Sequence, residues 1–340
     1  MFKNSIPFIT ALLLICSSVN IFAAEVNIYS ARKENLIKPL LDKFTAETGI
    51  KTNLITAKAD TLITRMINEG RNTPADLLIT VDAGRLYRAV QADLFQPIES
   101  SAILKIVPEH LRDPEGYWVG LSLRARVIFY AIDRVQPGQL STYEDLADPR
   151  WRNRICIRSS NNIYNQSLVA SMIASNGQEA TQKWAEGLVS NLARKPAGGD
   201  RDQIKAAAAG QCDIAIGNTY YYGKMLDNEK DPAQVEAAKK MAIFWPNQND
   251  RGAHVNVSGA GISKYSKNRE NAIRLLKYLL SPAAQEWYAS INYEYPVIDD
   301  TSILAILSKW GSFKSDVLNL SRLGELNREA VIIMDRAGWK

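Results

Sequence analysis

Two α/β lobes facing each other across a cleft are the fold that this sequence predicts, on three observations. Apolar strand-like runs alternate with segments of helical period along residues 26–80, the β-α-β-α-β rhythm of a parallel sheet with helices on its faces. The same rhythm returns after residue 124. The chain has 340 residues, more than one hydrophobic core usually serves. In such folds ligands bind where strand ends and helix N-termini converge, so the cleft is the expected site.

The elements follow in order. Residues 1–24 read as a secretory signal: Lys3, an apolar run over 6–15, then small residues ending at Phe22-Ala23-Ala24, with cleavage expected after Ala23 or Ala24. Cys16 lies inside it, behind Ile15 rather than a small residue, which argues against a lipid anchor. No later segment approaches the roughly 20 consecutive apolar residues of a membrane helix, so the mature chain is read as exported and soluble. Residues 26–30 form a strand. Leu36, Ile37, Leu40, Leu41 and Phe44 recur at helical spacing over 34–48, and Gly49 supplies the stop. A strand over 52–56, a helix over 61–68 and a strand over 75–80 behind Pro74 complete the first unit. In the second, strands are expected at 125–132 and 154–157, helices at 166–174, 178–192 and 200–209, and a strand after Cys212. Another strand over 255–262 and helices over 269–280 and 283–291 follow.

Composition is that of an ordinary globular protein, 46% hydrophobic and 23% charged. The formal net charge of +5 falls by the one charge of Lys3 to +4 on cleavage. That excess suits an anionic ligand or a metal-anion complex and is too dispersed to indicate nucleic acid. Enzyme signatures are missing: there is no Gly-x-Ser-x-Gly elbow, phosphate loop, dinucleotide glycine pattern or His-Glu-x-x-His pair. The two histidines, His110 and His254, are too few for a histidine-rich zinc or copper site. Cys156 and Cys212 remain in the mature chain, an even number in an oxidising compartment. They are candidates for a disulfide, the alternative being two buried thiols.

Tyrosine is where the sequence departs from the ordinary. Tyr220, Tyr221 and Tyr222 stand in a row after an apolar run, in a chain with 14 tyrosines. Phenolate oxygen is a hard, anionic donor suited to a trivalent cation; tyrosine is also a favoured strand residue, and both readings, ligation and packing, stand. Neighbours on a strand point to opposite faces, so ligation requires that the chain has already turned, which Asn218, Thr219 and Gly223 allow. Three loops suit an anion or metal. Residues 30–34, with Arg32, open the first helix, where free N–H groups favour an anion. Residues 122–126, with Arg124 and Arg126, open a strand at a lobe crossing; Arg126 is expected on the face opposite Arg124. Residues 159–166, with Tyr164, are a polar strand-to-helix connection.

With these loops the chain resembles the periplasmic ferric-ion-binding proteins of bacterial iron ABC importers, the FbpA/FutA type within the type II periplasmic-binding-protein fold. The resemblance runs from about Val26 to the C-terminus. It is carried by Tyr-Ser-Ala-Arg at 29–32, Thr-Pro-Ala-Asp-Leu-Leu-Ile-Thr-Val-Asp at 73–82 and Gly-Leu-Ser-Leu-Arg-Ala-Arg-Val-Ile at 120–128. Asn-Ile-Tyr-Asn-Gln-Ser-Leu at 162–168, Ala-Arg-Lys-Pro-Ala-Gly-Gly-Asp-Arg-Asp-Gln at 193–203 and Gly-Asn-Thr-Tyr-Tyr-Tyr-Gly at 217–223 complete it. It implies an Fe³⁺ site made by Tyr164, Tyr220 and Tyr221, with Tyr222 outside the ligand set. It implies that Arg32 and Arg124 hold a synergistic carbonate or similar anion. Many relatives carry His-Tyr after the arginine of the first loop; here Lys33 and Glu34 stand there, as possible additions to the site, and Val81 replaces a glutamate ligand of another branch. The implied division is an N-terminal lobe of 25–123 plus about 248–298 and a C-terminal lobe of 124–247 plus about 299–340. The implied role is that of a monomeric periplasmic carrier, not an enzyme, that serves an inner-membrane ABC permease. The alternative is an importer component of the same fold for an organic or oxyanion ligand, its tyrosines then being stacking surfaces.

Overall fold

A computed structural model describes residues 24–298 and 305–340; the signal segment, apart from Ala24, lies outside the described residues. The chain opens with β1 (Glu25–Ser30), α1 (Glu34–Thr48), β2 (Lys51–Thr56), α2 (Ala59–Glu69), β3 (Leu77–Val81) and α3 (Ala83–Gln91). Helix α1 buries Ile37, Leu40, Leu41 and Phe44, each worth about 1.5–3 kcal/mol, and turns Leu36 toward the cleft. It ends at Gly49, whose φ of 71° is the left-handed conformation that glycine adopts without steric cost. The short β4 (Phe95–Gln96) and α4 (Ser101–Ile106) lead to β5 (Trp118–Ala131).

Strand β5 organises the molecule. Its first half, from Trp118 to Ala125, pairs with β9 (Val255–Ser263); from Arg126 onward it pairs with β7 (Ile214–Asn218), and from Ile128 with β8 (Met241–Phe244). One strand therefore belongs to two sheets. The first runs β2-β1-β3-β9-β5 with β4 on β9, and the second runs β5-β7-β6 with β6 at Ile155–Cys156. The sequence places this strand at 125–132. The segment ahead of it, where the register shifts between Gly120 and Ser122, carries no clear alternation because all of Trp118–Phe129 is buried. The changeover between Ala125 and Arg126 sets two arginines at the junction. A second chain segment crosses there, with Tyr295 paired to Leu123 through backbone hydrogen bonds of 2.8 and 2.7 Å.

The second unit adds α5 (Ile163–Ser190), α6 (Asp200–Ala208), α7 (Thr219–Leu226) and α8 (Pro232–Lys239). Helix α5 is broken at Gly177 (φ 79°, ψ 167°), so the two helices expected over 166–174 and 178–192 are its halves. After β9 come α9 (Arg269–Leu279) and α10 (Pro282–Trp287), then α11 (Ala305–Ser308), α12 (Ser321–Glu325) and α13 (Asn327–Arg336). Helix α13 packs on α5, and α12 bridges α3 and α5. This contact depends on Gly324, where a Cβ would meet the Cβ of Tyr87 at 2.3 Å. Across the same boundary, buried Asp82 accepts from Ser167 Oγ at 2.8 Å and from Asn256 Nδ2 at 2.9 Å. Cys156 and Cys212 form a disulfide with Cα atoms 5.9 Å apart. Among the described residues no helix is long and apolar enough to cross a membrane.

Candidate metal centre

Strand β7 runs into α7 without a loop, which decides where the tyrosine triplet points. Tyr220 and Tyr221 occupy the first turn of α7, so their side chains fan around a helix instead of alternating across a strand, and both line the cleft. Their rings lie 4.3 Å apart. Tyr222 turns the other way: it is 7% exposed, donates its hydroxyl to the carbonyl of Met241 at 2.7 Å, and packs against Phe129 and Trp310. Tyr164 sits in the first turn of α5, and the Tyr220 hydroxyl donates to the Tyr164 hydroxyl at 3.3 Å. The structure thus brings Tyr164, Tyr220 and Tyr221 to one cleft of about 560 Å³ and removes Tyr222 from it.

Burial holds Tyr220 and Tyr221 protonated. Burial, and then the negative charge that Tyr164 and Tyr221 would carry, push Tyr220 well above the ordinary phenol value. Burial, and then the negative charge of Tyr164 and Asp200, push Tyr221 up to about 12. The N-termini of α5 and α7 oppose this, since their free N–H groups favour an anion close by. Among the described residues no three His, Cys, Asp or Glu side chains group as a metal site. His254 is kept neutral, driven down to about 3 by burial and by Arg126 and Arg251.

Beneath the tyrosines lies a buried support. Arg126 donates through Nη2 to Asn165 Oδ1 at 2.5 Å, and through Nη1 to Asn218 Oδ1 at 3.1 Å and Asp200 Oδ2 at 3.2 Å. Asp200 also accepts from the Asn218 backbone at 2.9 Å and from Arg158 at 3.4 Å. One guanidinium therefore ties Asn165, next to Tyr164, to Asn218, just ahead of the Tyr220–Tyr221 turn. The expectation that Arg126 points away from Arg124 is wrong. Residues two apart on a strand share a face, and both arginines border the pocket floor beside Tyr164.

Arg32 and Arg124 do reach the same place, with a residue the sequence did not flag. Glu294 accepts through Oε2 from Arg32 Nη2 at 2.7 Å and from Ser122 Oγ at 2.5 Å, and through Oε1 from Arg124 Nη2 at 3.2 Å. Arg32, Arg124 and Glu294 are 5%, 2% and 5% exposed. Burial alone would raise the Glu294 carboxyl, but the two guanidinium groups bring it down to about 2. Lys224 on α7 is a second unflagged neighbour, lowered to about 8 by burial and by the positive charge of Arg32, Arg201 and Lys33. Lys33 lines the cleft, as does Val81; Glu34 is exposed on the first turn of α1 and lies outside the lining. The signal that could have found Glu294 is its setting, one acid between Tyr293 and Tyr295-Pro296 where the chain should be buried.

Comparison with known proteins accords with this geometry. Residues 72–315 match the family of bacterial extracellular solute-binding proteins. Iron uptake protein A1 of Synechocystis sp. is 50% identical over 316 residues, covering 93% of this chain and 88% of that protein. The solved structure of the Trichodesmium protein (IdiA, FutA) in complex with iron and citrate ligands matches with a TM-score of 0.91 at 50% identity, over 93% of this chain and all of that one. Ferric iron-binding protein A of Mannheimia haemolytica in an open conformation matches with a TM-score of 0.87 at 45% identity, over 93% of this chain and 99% of that one.

Proposed function

The chain belongs to the bacterial extracellular solute-binding protein family, and from that premise we propose that it captures ferric iron in the periplasm and passes it to the inner-membrane permease of an ABC importer. The observation that carries this reading is the convergence of three phenols, Tyr164, Tyr220 and Tyr221, in one cleft beside a buried arginine pair. Three phenolates neutralise the charge of Fe³⁺. Donors in adjacent positions around a hard cation with bonds of about 2.0–2.1 Å are separated by about 2.9 Å, so the 3.3 Å between the Tyr164 and Tyr220 oxygens needs only a slight contraction. Capture is an exchange in which the cation displaces protons from phenols that burial otherwise keeps neutral. No bond of a substrate is made or broken, and the protein acts as a carrier rather than an enzyme.

Three phenolates leave positions on the ion open, and a small anion is proposed to fill them. Arg124 Nε and Nη1 and Arg32 Nε are buried donors without a protein acceptor, which supports an oxyanion on this side of the site. Carbonate fits that description; so does a carboxylate of an organic acid, which the iron and citrate of the Trichodesmium relative favour. The lobes, divided as the sequence resemblance implies, would close over the ion about β5 and β9, and the carrier would act as a monomer. Titration of the iron-free protein with a weak ferric chelate, with and without bicarbonate or citrate, tests the reading. A visible phenolate-to-iron absorption band that saturates at one iron per chain, and is strengthened by the anion, is expected. Colourless protein that retains no iron refutes it.

A further inference from the structure

We propose that Glu294 is a built-in anion of the cleft, a positioning and specificity residue that occupies the arginine pair before any external anion arrives and thereby limits how much negative charge the cleft takes from solution. The proposal rests on the reading of Arg32 and Arg124 as the anion-binding pair. Its basis is placement. Glu294 lines the cleft, and its two oxygens take one donor from each arginine and the hydroxyl of Ser122. The acid is fixed by its backbone on both sides, Tyr293 at φ 57° ahead of it and Tyr295 paired to Leu123 behind it, so the carboxylate is delivered by the crossing segment and not by a free loop.

Charge gives the consequence. Arg32, Arg124 and Glu294 sum to +1, which one monovalent anion, or one carboxylate arm of a larger acid, would balance. With Glu294 neutral the pair would carry +2 and suit a dianion. Lys224 on α7, Lys33 ahead of α1 and Arg201 on α6 also line the cleft and add to the attraction for an external anion; Asp200 and Asp202 on α6 oppose it, and Glu294 is the carboxylate that sits on the arginine pair itself. The unmatched donors on Arg32 and Arg124 show that one carboxylate does not satisfy the pair, so an incoming anion shares it with Glu294 and is repelled by it at short range.

The test uses iron-free protein and calorimetric titration with sodium bicarbonate and with sodium citrate. Glu294→Gln, which keeps the shape and removes the charge, is expected to bind both probes at least about tenfold more tightly than the parent, with the larger gain for citrate. Unchanged or weaker binding by a folded Glu294→Gln protein overturns the proposal. To separate a failure to fold from a failure of the proposal, since removing the carboxylate leaves two buried arginines uncompensated, Glu294→Ala is compared with the parent by melting temperature in sodium formate, whose ion fits the vacated place. Formate should raise the melting temperature of Glu294→Ala more than that of the parent, and an equal rise in both overturns the proposal. Ferric binding is read separately by its absorption band, so its failure in the parent would sink the iron reading and leave these anion measurements standing.

Discussion

Replacing Asp200 by Asn removes one negative charge from the floor of the site while keeping the size of the side chain. Asp200 is fully buried and pairs with Arg126 at 3.2 Å, whose side chain is 2% exposed; its second partner, Arg158, is 22% exposed and at 3.4 Å. Breaking a buried pair from one side costs about 3–5 kcal/mol because the remaining charge is left without compensation, and the half-open Arg158 contact adds little to that. For a folding unit of 150–250 residues each kcal/mol lowers the melting temperature by about 2–4 °C, so Asp200→Asn should lower it by roughly 6–20 °C in scanning calorimetry of the iron-free protein. Ferric affinity should fall with it, because the freed Arg126 no longer holds Asn165 and Asn218 in register beneath Tyr164 and the first turn of α7. A drop below about 2 °C with unchanged ferric affinity would refute the view that this network positions the tyrosines.

Three further outcomes are expected. Reduction of Cys156–Cys212, which closes a loop with a sequence separation of 56, should cost about 4 kcal/mol on the chain-entropy account and leave ferric binding in place; urea titration and the iron absorption band, read side by side, check both halves. Acidification should release iron. Tyr220 and Tyr221 lie above the ordinary phenol value in the iron-free protein, so each ion displaces protons, and apparent affinity should fall by up to about three log units per pH unit as pH drops. Affinity that stays flat between about pH 8 and 6 would exclude the phenols as ligands. The folded iron-free protein should lose stability in strong acid by a different route. The Glu294 carboxyl is held at about 2 against roughly 4.3 when unfolded, so its contribution is present above about pH 4.3 and lost as pH falls through about 2; Glu294→Gln should flatten that part of the profile.

Periodicity exposed the elements that bury one face, and it exposed little of the rest. The first β-α-β-α-β unit was legible because α1 shows clean apolar spacing and stops at Gly49, and β3 is a short apolar run set off by Pro74 ahead of it. The early part of β5 was not, since a strand covered on both faces has no alternation to read, and α12 and α13 escaped because their hydrophobic positions answer to α3 and α5 across the molecule. The tyrosines could be singled out by clustering, but which of them face the cleft follows from β7 passing into α7 without a loop. Arg126 was misplaced by a slip in strand parity. Glu294 was missed for a physical reason: it stands 170 residues from Arg124 and 262 from Arg32, and no local pattern announces a contact over that distance.

The most direct test compares four single replacements, Tyr164→Phe, Tyr220→Phe, Tyr221→Phe and Tyr222→Phe, by competition for ferric iron against a chelator of known strength. Each keeps its ring and loses one oxygen. The first three should weaken binding by about a hundredfold or more, beyond the 10–100-fold typical of residues that only support a ligand, with a weakened or shifted absorption band. Tyr222→Phe gives up only a hydrogen bond to the Met241 carbonyl, worth about 0.5–1.5 kcal/mol of stability, and should bind iron as the parent does. Equal losses at all four positions, or full ferric affinity without Tyr220 or Tyr221, would contradict the account.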